Sequence, residues 1–100
     1  MNITKTEQEG RITLSLEGWL DTLSSPQLGE EVESITAAES LTLDFDKVEY
    51  ISSSGLRQVV ASHRKAKELG AAFSVVNVCT EAMSIFTLTG LDKKMEIHAK

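Results

Sequence analysis

Polar and apolar side chains alternate along Arg11-Ile12-Thr13-Leu14-Ser15-Leu16, the period of a half-buried strand with Ile12, Leu14 and Leu16 inward. Ile3 to Thr6 offers a short edge strand before it. Glu9-Gly10 between them reads as the turn of an antiparallel hairpin. Gly18-Trp19-Leu20-Asp21 then reads as a connecting loop. Ser24-Ser25-Pro26 follows as a helix start, with a serine N-cap and a proline in the first turn. Leu28, Val32 and Ile35 continue at helical spacing, with Glu30, Glu31 and Glu33 on the wet side. Leu41 to Phe45 alternates again, as a central strand, and Val48 to Ile51 follows as an extended segment. Ser52-Ser53-Ser54-Gly55 opens a second helix. Its buried stripe is Leu56, Val59, Val60, His63, Ala66 and Leu69, and Gly70 ends it. Phe73 to Val78 predicts a further strand, Glu81 to Leu88 a short helix carrying Met83, Phe86 and Leu88 and closed by Gly90, and Lys94 to His98 a last strand. The order β-β-α-β-α-β-α-β predicts an α/β fold, a mixed sheet of four to five strands with helices packed on it. With no repeat or linker in view, residues 1–100 are expected to form one domain.

Charge and composition narrow the function. Ten basic residues against 15 acidic ones leave a net charge of −5. This argues against nucleic acid as a partner, which would require a basic face, and against docking on anionic membranes. The single cysteine, Cys79, allows no internal disulfide and fits a reducing compartment. Two histidines and one cysteine, far apart in sequence, do not make a structural zinc site. Met1 to Gly10 carries Lys5, Glu7 and Glu9 and has no apolar run of signal length. No stretch approaches the roughly 20 apolar residues of a membrane helix. The expectation is a cytoplasmic protein without cofactor, metal or membrane insertion, monomeric when free.

Candidate chemistry concentrates in one stretch, Asp44-Phe45-Asp46-Lys47-Val48-Glu49-Tyr50-Ile51-Ser52-Ser53-Ser54-Gly55-Leu56-Arg57. Serines at a helix start satisfy free backbone N–H groups, so capping accounts for them on pattern alone. They also suit a phosphoacceptor, because a phosphate there meets the positive end of the helix dipole. The two readings are compatible, since one serine can cap while its neighbour is exposed. A hydrolase fits poorly. The nucleophile elbow requires Gly-x-Ser-x-Gly, and Ile51 stands where its first glycine belongs. No Gly-Lys-Ser/Thr follows to cradle a nucleotide phosphate. Asp44 and Asp46 read as a solvated strand terminus. Arg57, Arg64, Lys65 and Lys67 make the second helix the most basic part of an acidic chain, either a solvated face or a docking surface for an acidic partner. Trp19, the only tryptophan, is either a cover for the core edge or an interface anchor.

The element order, Gly18-Trp19-Leu20-Asp21 after the second strand, and Val48 to Arg57 together resemble the STAS family. More narrowly, they resemble the small bacterial anti-sigma factor antagonists, over essentially the whole chain. That resemblance implies partner switching. An unphosphorylated antagonist binds an anti-sigma factor that is also a serine kinase, and is released when the kinase phosphorylates one of its serines. A metal-dependent serine/threonine phosphatase resets it. The family's acceptor lies two residues before the loop glycine, which carries it onto Ser53, with Ser52 and Ser54 as fallback sites. The aspartate of Gly-x-Leu-Asp corresponds to Asp21, placed by the resemblance near the acceptor, where it would orient the hydroxyl and repel a phosphate. The implied partner surface is Asp21, Ser52, Ser53, Ser54, Gly55, Leu56 and Arg57. The chain departs from many members in having Ser52 where they have aspartate, and in ending soon after the last predicted strand. The alternative within the family is an accessory subunit of a transporter or sensory complex that binds without a phospho-switch.

Overall fold

The computed structural model describes residues 1–100. Strands β1 (Asn2–Gln8), β2 (Arg11–Leu20), β3 (Ser40–Ile51), β4 (Ala72–Val78) and β5 (Glu96–Ala99) form one sheet in the order β1-β2-β3-β4-β5. β1 and β2 run antiparallel as a hairpin; every other neighbouring pair is parallel. Helices α1 (Ser25–Glu33), α2 (Ser53–Glu68) and α3 (Thr80–Leu88) make the crossovers, and a 3₁₀ turn at Leu91–Lys93 precedes β5. Successive right-handed crossovers stepping in one direction place their helices on one face of the sheet. The α/β class, the mixed sheet and the element order are those the sequence predicts.

The core follows from the alternation. Ile12, Leu14 and Leu16 of β2 and Leu41, Leu43 and Phe45 of β3 are buried against Leu28 and Val32 of α1, Val59 and Ala66 of α2, and Ala82 and Phe86 of α3, in one cluster. The opposite sheet face carries Thr13, Ser15, Thr42, Asp44 and Ser74, only partly covered.

The structure corrects several boundaries. Gly18, Trp19 and Leu20 are not loop but the end of β2, and only Asp21 lies beyond it. The chain reaches Trp19 through Gly18 at φ +112°, a backbone conformation open to glycine and strained for other residues. The extended segment Val48–Ile51 is continuous with the central strand, in one strand of 12 residues. β3 takes two bulges against β2, pairing Ser15 with Asp44 but Glu17 with Lys47, and Gly18 with Val48 but Trp19 with Tyr50. Each inserts one residue, so the buried positions Phe45, Val48 and Ile51 fall three apart rather than two. Ile35 is buried but lies past the end of α1. Ser24 precedes α1 without capping it through its side chain. On α2 the fully buried line is Gly55, Val59, Ser62 and Ala66. Ser62 is tolerated there because its hydroxyl donates to the Gln58 carbonyl oxygen at 2.9 Å. Leu88 is not a core residue; it stands 86% exposed.

Candidate functional site

Parallel pairing of β2 and β3 sets Leu20 directly beside Ile51, both buried, at the carboxyl ends of their strands. The segments that follow, Asp21–Ser24 and Ser52–Arg57, therefore emerge side by side. The Ser52 N–H extends the contact one step by donating to the Leu20 carbonyl oxygen at 3.0 Å.

The three serines have different duties. Ser52 is the N-cap of α2: its extended backbone directs Oγ back to accept the Gly55 N–H at 3.2 Å, and its carbonyl oxygen accepts the Leu56 N–H at 2.9 Å. Ser54 is half-buried. Its Oγ shares a hydrogen bond with Thr22 Oγ1 at 3.0 Å and accepts one from the Arg57 guanidinium at 3.2 Å. Ser53, the first residue of α2, is exposed, and its hydroxyl bonds to nothing in the protein. Gly55 is buried against the β2 end. Leu56 packs partly on the core, and Arg57 is exposed.

Asp21 stands in the adjoining turn, but its carboxylate is directed into that turn. Oδ1 accepts the N–H groups of Leu23 and Ser24, each at 3.1 Å, and lies 3.1 Å from Ser24 Oγ. The Ser24 N–H is the main reason the Asp21 pKa lies below the ordinary aspartate value; partial burial opposes it, and the Ser24 hydroxyl and Leu23 N–H add to the lowering. Ser24 Oγ also accepts the Asp21 N–H and donates to the Trp19 carbonyl oxygen at 2.6 Å, and Ser25 Oγ donates to the Asp21 carbonyl oxygen. No hydrogen bond joins Asp21 to Ser53, so Asp21 does not orient the Ser53 hydroxyl. Thr22, which nothing local in the sequence singles out, makes the side-chain contact across the two loops.

An aromatic pair borders the site. Trp19 and Tyr50 are register partners with ring centroids 5.1 Å apart, and they stay 58% and 50% exposed. Trp19, Leu23 and Asp21 line a shallow depression of about 340 Å³. Trp19 is thus on the surface rather than over the core edge.

The remaining candidates lie elsewhere. Asp44 Oδ1 accepts the Asp46 N–H at 3.0 Å and the Asn77 side-chain amide at 2.9 Å, at the far face of the sheet. No three His, Cys, Asp or Glu side chains gather in a group that could hold a metal. His63 stacks on Phe73 with centroids 5.2 Å apart. Ten residues separate it from Ser53, about 15 Å along the helix, too far to serve as its base. No helix is long and apolar enough to cross a membrane.

The family model described as "Mlab, STAS domain" matches residues 3–97. The chain belongs to the STAS-domain family. This STAS domain is 26% identical over 101 residues to the anti-sigma-B factor antagonist of Bacillus subtilis, covering all of this chain and 93% of that protein. It matches the crystal structure of an anti-sigma factor antagonist from Mycobacterium paratuberculosis with a TM-score of 0.88 at 24% identity, over 99% of this chain and 86% of the other. It matches the Bacillus cell fate determinant SpoIIAA in its phosphorylated form with a TM-score of 0.77 at 17% identity, over 96% and 90%. At those identities the structural matches establish the fold.

Proposed function

We propose that this STAS domain is an anti-sigma factor antagonist that acts by binding rather than by catalysis. Unphosphorylated, it engages an anti-sigma factor serine kinase; phosphorylation of Ser53 releases it, and a metal-dependent serine/threonine phosphatase restores it. The observation that carries this reading is the division of labour among the serines. Ser52 caps α2 and Ser54 is tied to Thr22 and Arg57, while the Ser53 hydroxyl is exposed and unbonded. The naming of the relatives as anti-sigma factor antagonists supports it.

The proposed switch acts through charge. A phosphate on Ser53 adds about −1.5 to −2 charge at neutral pH. At a helix N-terminus that charge is compatible with the fold. A partner face fitted to a neutral hydroxyl would have to desolvate it. A loss of about 3 kcal/mol in binding already exceeds a hundredfold in affinity. The partner surface proposed for this event comprises Asp21, Ser52, Ser53, Ser54, Gly55, Leu56 and Arg57, bordered by Thr22, Trp19 and Tyr50.

The test is a pull-down from the native cells with Ser53→Ala and Ser53→Asp baits. An ATP-binding kinase retained by the first bait and lost by the second is the expected result. Equal retention on both baits would overturn the phospho-switch. A second reading is an accessory subunit bound constitutively to a transporter, since the same fold occurs in a sulfate transporter family protein from Wolinella succinogenes; a transporter component held equally by both baits would establish that one instead.

A further inference from the structure

α2 turns a second surface outward, away from the sheet and continuous with its serine-bearing end. A groove of about 370 Å³ runs between α2 and the segment that joins α3 to β5. Its floor is apolar, formed by Leu56, Val60 and Ala61 of α2 and Leu91 of the 3₁₀ turn, and Arg57 and Arg64 line its α2 side. Both arginines are exposed, and neither comes within 4 Å of a carboxylate. That is a notable choice in a chain with 15 acidic residues. Lys65, on the other flank of the same helix, does find one, Glu33 of α1 at 3.6 Å. No acidic residue lines the groove. Two fixed positive charges beside an apolar floor are left for another molecule to match.

We propose that this groove seats an amphipathic, acidic helix of the protein partner. The apolar floor takes the partner helix's leucine-like side chains. Arg57 and Arg64 are seven residues apart, two turns and about 10 Å along α2, so they match carboxylates two turns apart on a helix laid alongside. Guanidiniums favour this pairing because they bind carboxylates bidentately and desolvate at less cost than ammonium groups. The proposal rests on the functional reading above only in taking that partner to be the anti-sigma factor kinase. The groove itself is built from this chain's own residues. Arg57 belongs to both surfaces: it lines the groove and reaches back to Ser54 Oγ, one residue from Ser53. A phosphate on Ser53 would compete for the same guanidinium, so occupancy of the groove and phosphorylation would oppose each other.

Two measurements test it. The full chain, labelled with ¹⁵N, is titrated with a synthetic helical peptide carrying leucines at three- and four-residue spacing and glutamates seven apart. A twin peptide with lysine for every glutamate is the control. The expected result is amide shifts centred on Leu56, Val60, Ala61, Arg64 and Leu91 with the glutamate peptide, lost with the lysine twin and in the Arg57→Glu/Arg64→Glu chain. No shifts, shifts centred elsewhere, or equal shifts with both peptides would overturn the groove. The second measurement is calorimetry against the purified partner retained by the Ser53→Ala bait. Arg64→Glu, two turns or more from the serines, is expected to weaken binding at least tenfold, and Arg64→Lys to restore part of it. Wild-type affinity in Arg64→Glu with binding abolished in Ser53→Asp would remove the groove and leave the switch. The reverse pattern would remove the switch and leave the groove.

Discussion

A Cβ placed on Gly55 would fall 2.5 Å from the Leu20 carbonyl oxygen and 2.8 Å from Ile51 Cγ1. The obstruction is backbone at the end of β2, and that carbonyl already accepts the Ser52 N–H. It cannot swing aside without breaking the contact that joins the two loops. Gly55→Ala is therefore expected to cost about 2 kcal/mol, in the range of overpacked sites. Urea denaturation measures the loss, and amide spectra should show it centred on residues 20–24 and 52–56. A neutral effect would mean the loops are not locked together as described.

Ser52 and Ser53 should separate cleanly in a stability assay. Ser52→Ala removes the acceptor of the Gly55 N–H and should cost about 1 kcal/mol, the usual magnitude for a lost N-cap. Ser53→Ala removes a hydroxyl that bonds to nothing and should stay within about 0.5 kcal/mol of wild type. The reverse order would show that the cap has been assigned to the wrong serine.

The sign of the charge effect at Ser53 is also fixed by the geometry. Ser53→Asp, or the phosphorylated chain, places negative charge in the first turn of α2, where no acidic residue stands. It should leave the thermal midpoint unchanged or raise it, by a dipole contribution of about 0.3–1 kcal/mol that shrinks with added salt. A marked destabilisation would imply that binding is lost through unfolding rather than through a changed surface.

Two groups give the stability a pH dependence, both with the same sign. Burial, and secondarily Lys67, hold the His63 pKa below its ordinary 6.5. The unfolded chain binds that proton first, so the contribution is complete above 6.5 and is lost as pH falls through the lowered folded value. His63→Gln should flatten the stability profile below pH 6.5. Asp21 acts below its ordinary 3.8: its contribution is present above that value and disappears as pH falls towards the depressed folded pKa. Asp21→Asn should shrink that acid limb. Chemical denaturation at stepped pH reads both, and an unchanged profile in either variant would contradict the assignment.

The strands and helices were legible wherever one physical period held. Ile12-Leu14 and Leu41-Leu43 show the two-residue repeat because each pair sits in an unbroken ladder, and Leu16 and Phe45 complete it where the first bulge begins. Asp46-Lys47 looks like a break in β3 because a bulge there shifts the repeat from two to three, and a bulge has no local sequence mark when its residues are ordinary. The alternation predicts a strand ending at Leu16 and a loop from Gly18, because a glycine within a strand carries no side chain to continue the repeat. The serine cluster was visible as a helix start. Which serine caps, which is tethered and which is idle depends on Leu20 and Thr22, 32 residues away, and no local pattern encodes that pairing. The family resemblance places Asp21 near the serines, but the fold of its own turn, not its residue type, directs its carboxylate to the Leu23 and Ser24 N–H groups.

The idle hydroxyl of Ser53 has a consequence for the chain's lifetime in a cell. Proteolytic turnover tracks the fraction of molecules that open, and that fraction follows folding stability. A phosphate on a side chain that anchors nothing breaks no contact, and its dipole contribution of about 0.3–1 kcal/mol lowers that fraction rather than raising it. The phosphorylated form would then be cleared no faster than the unmodified one. Under the proposed switch, the released form would persist as a pool that the phosphatase can restore, and the signal would not be carried by loss of protein.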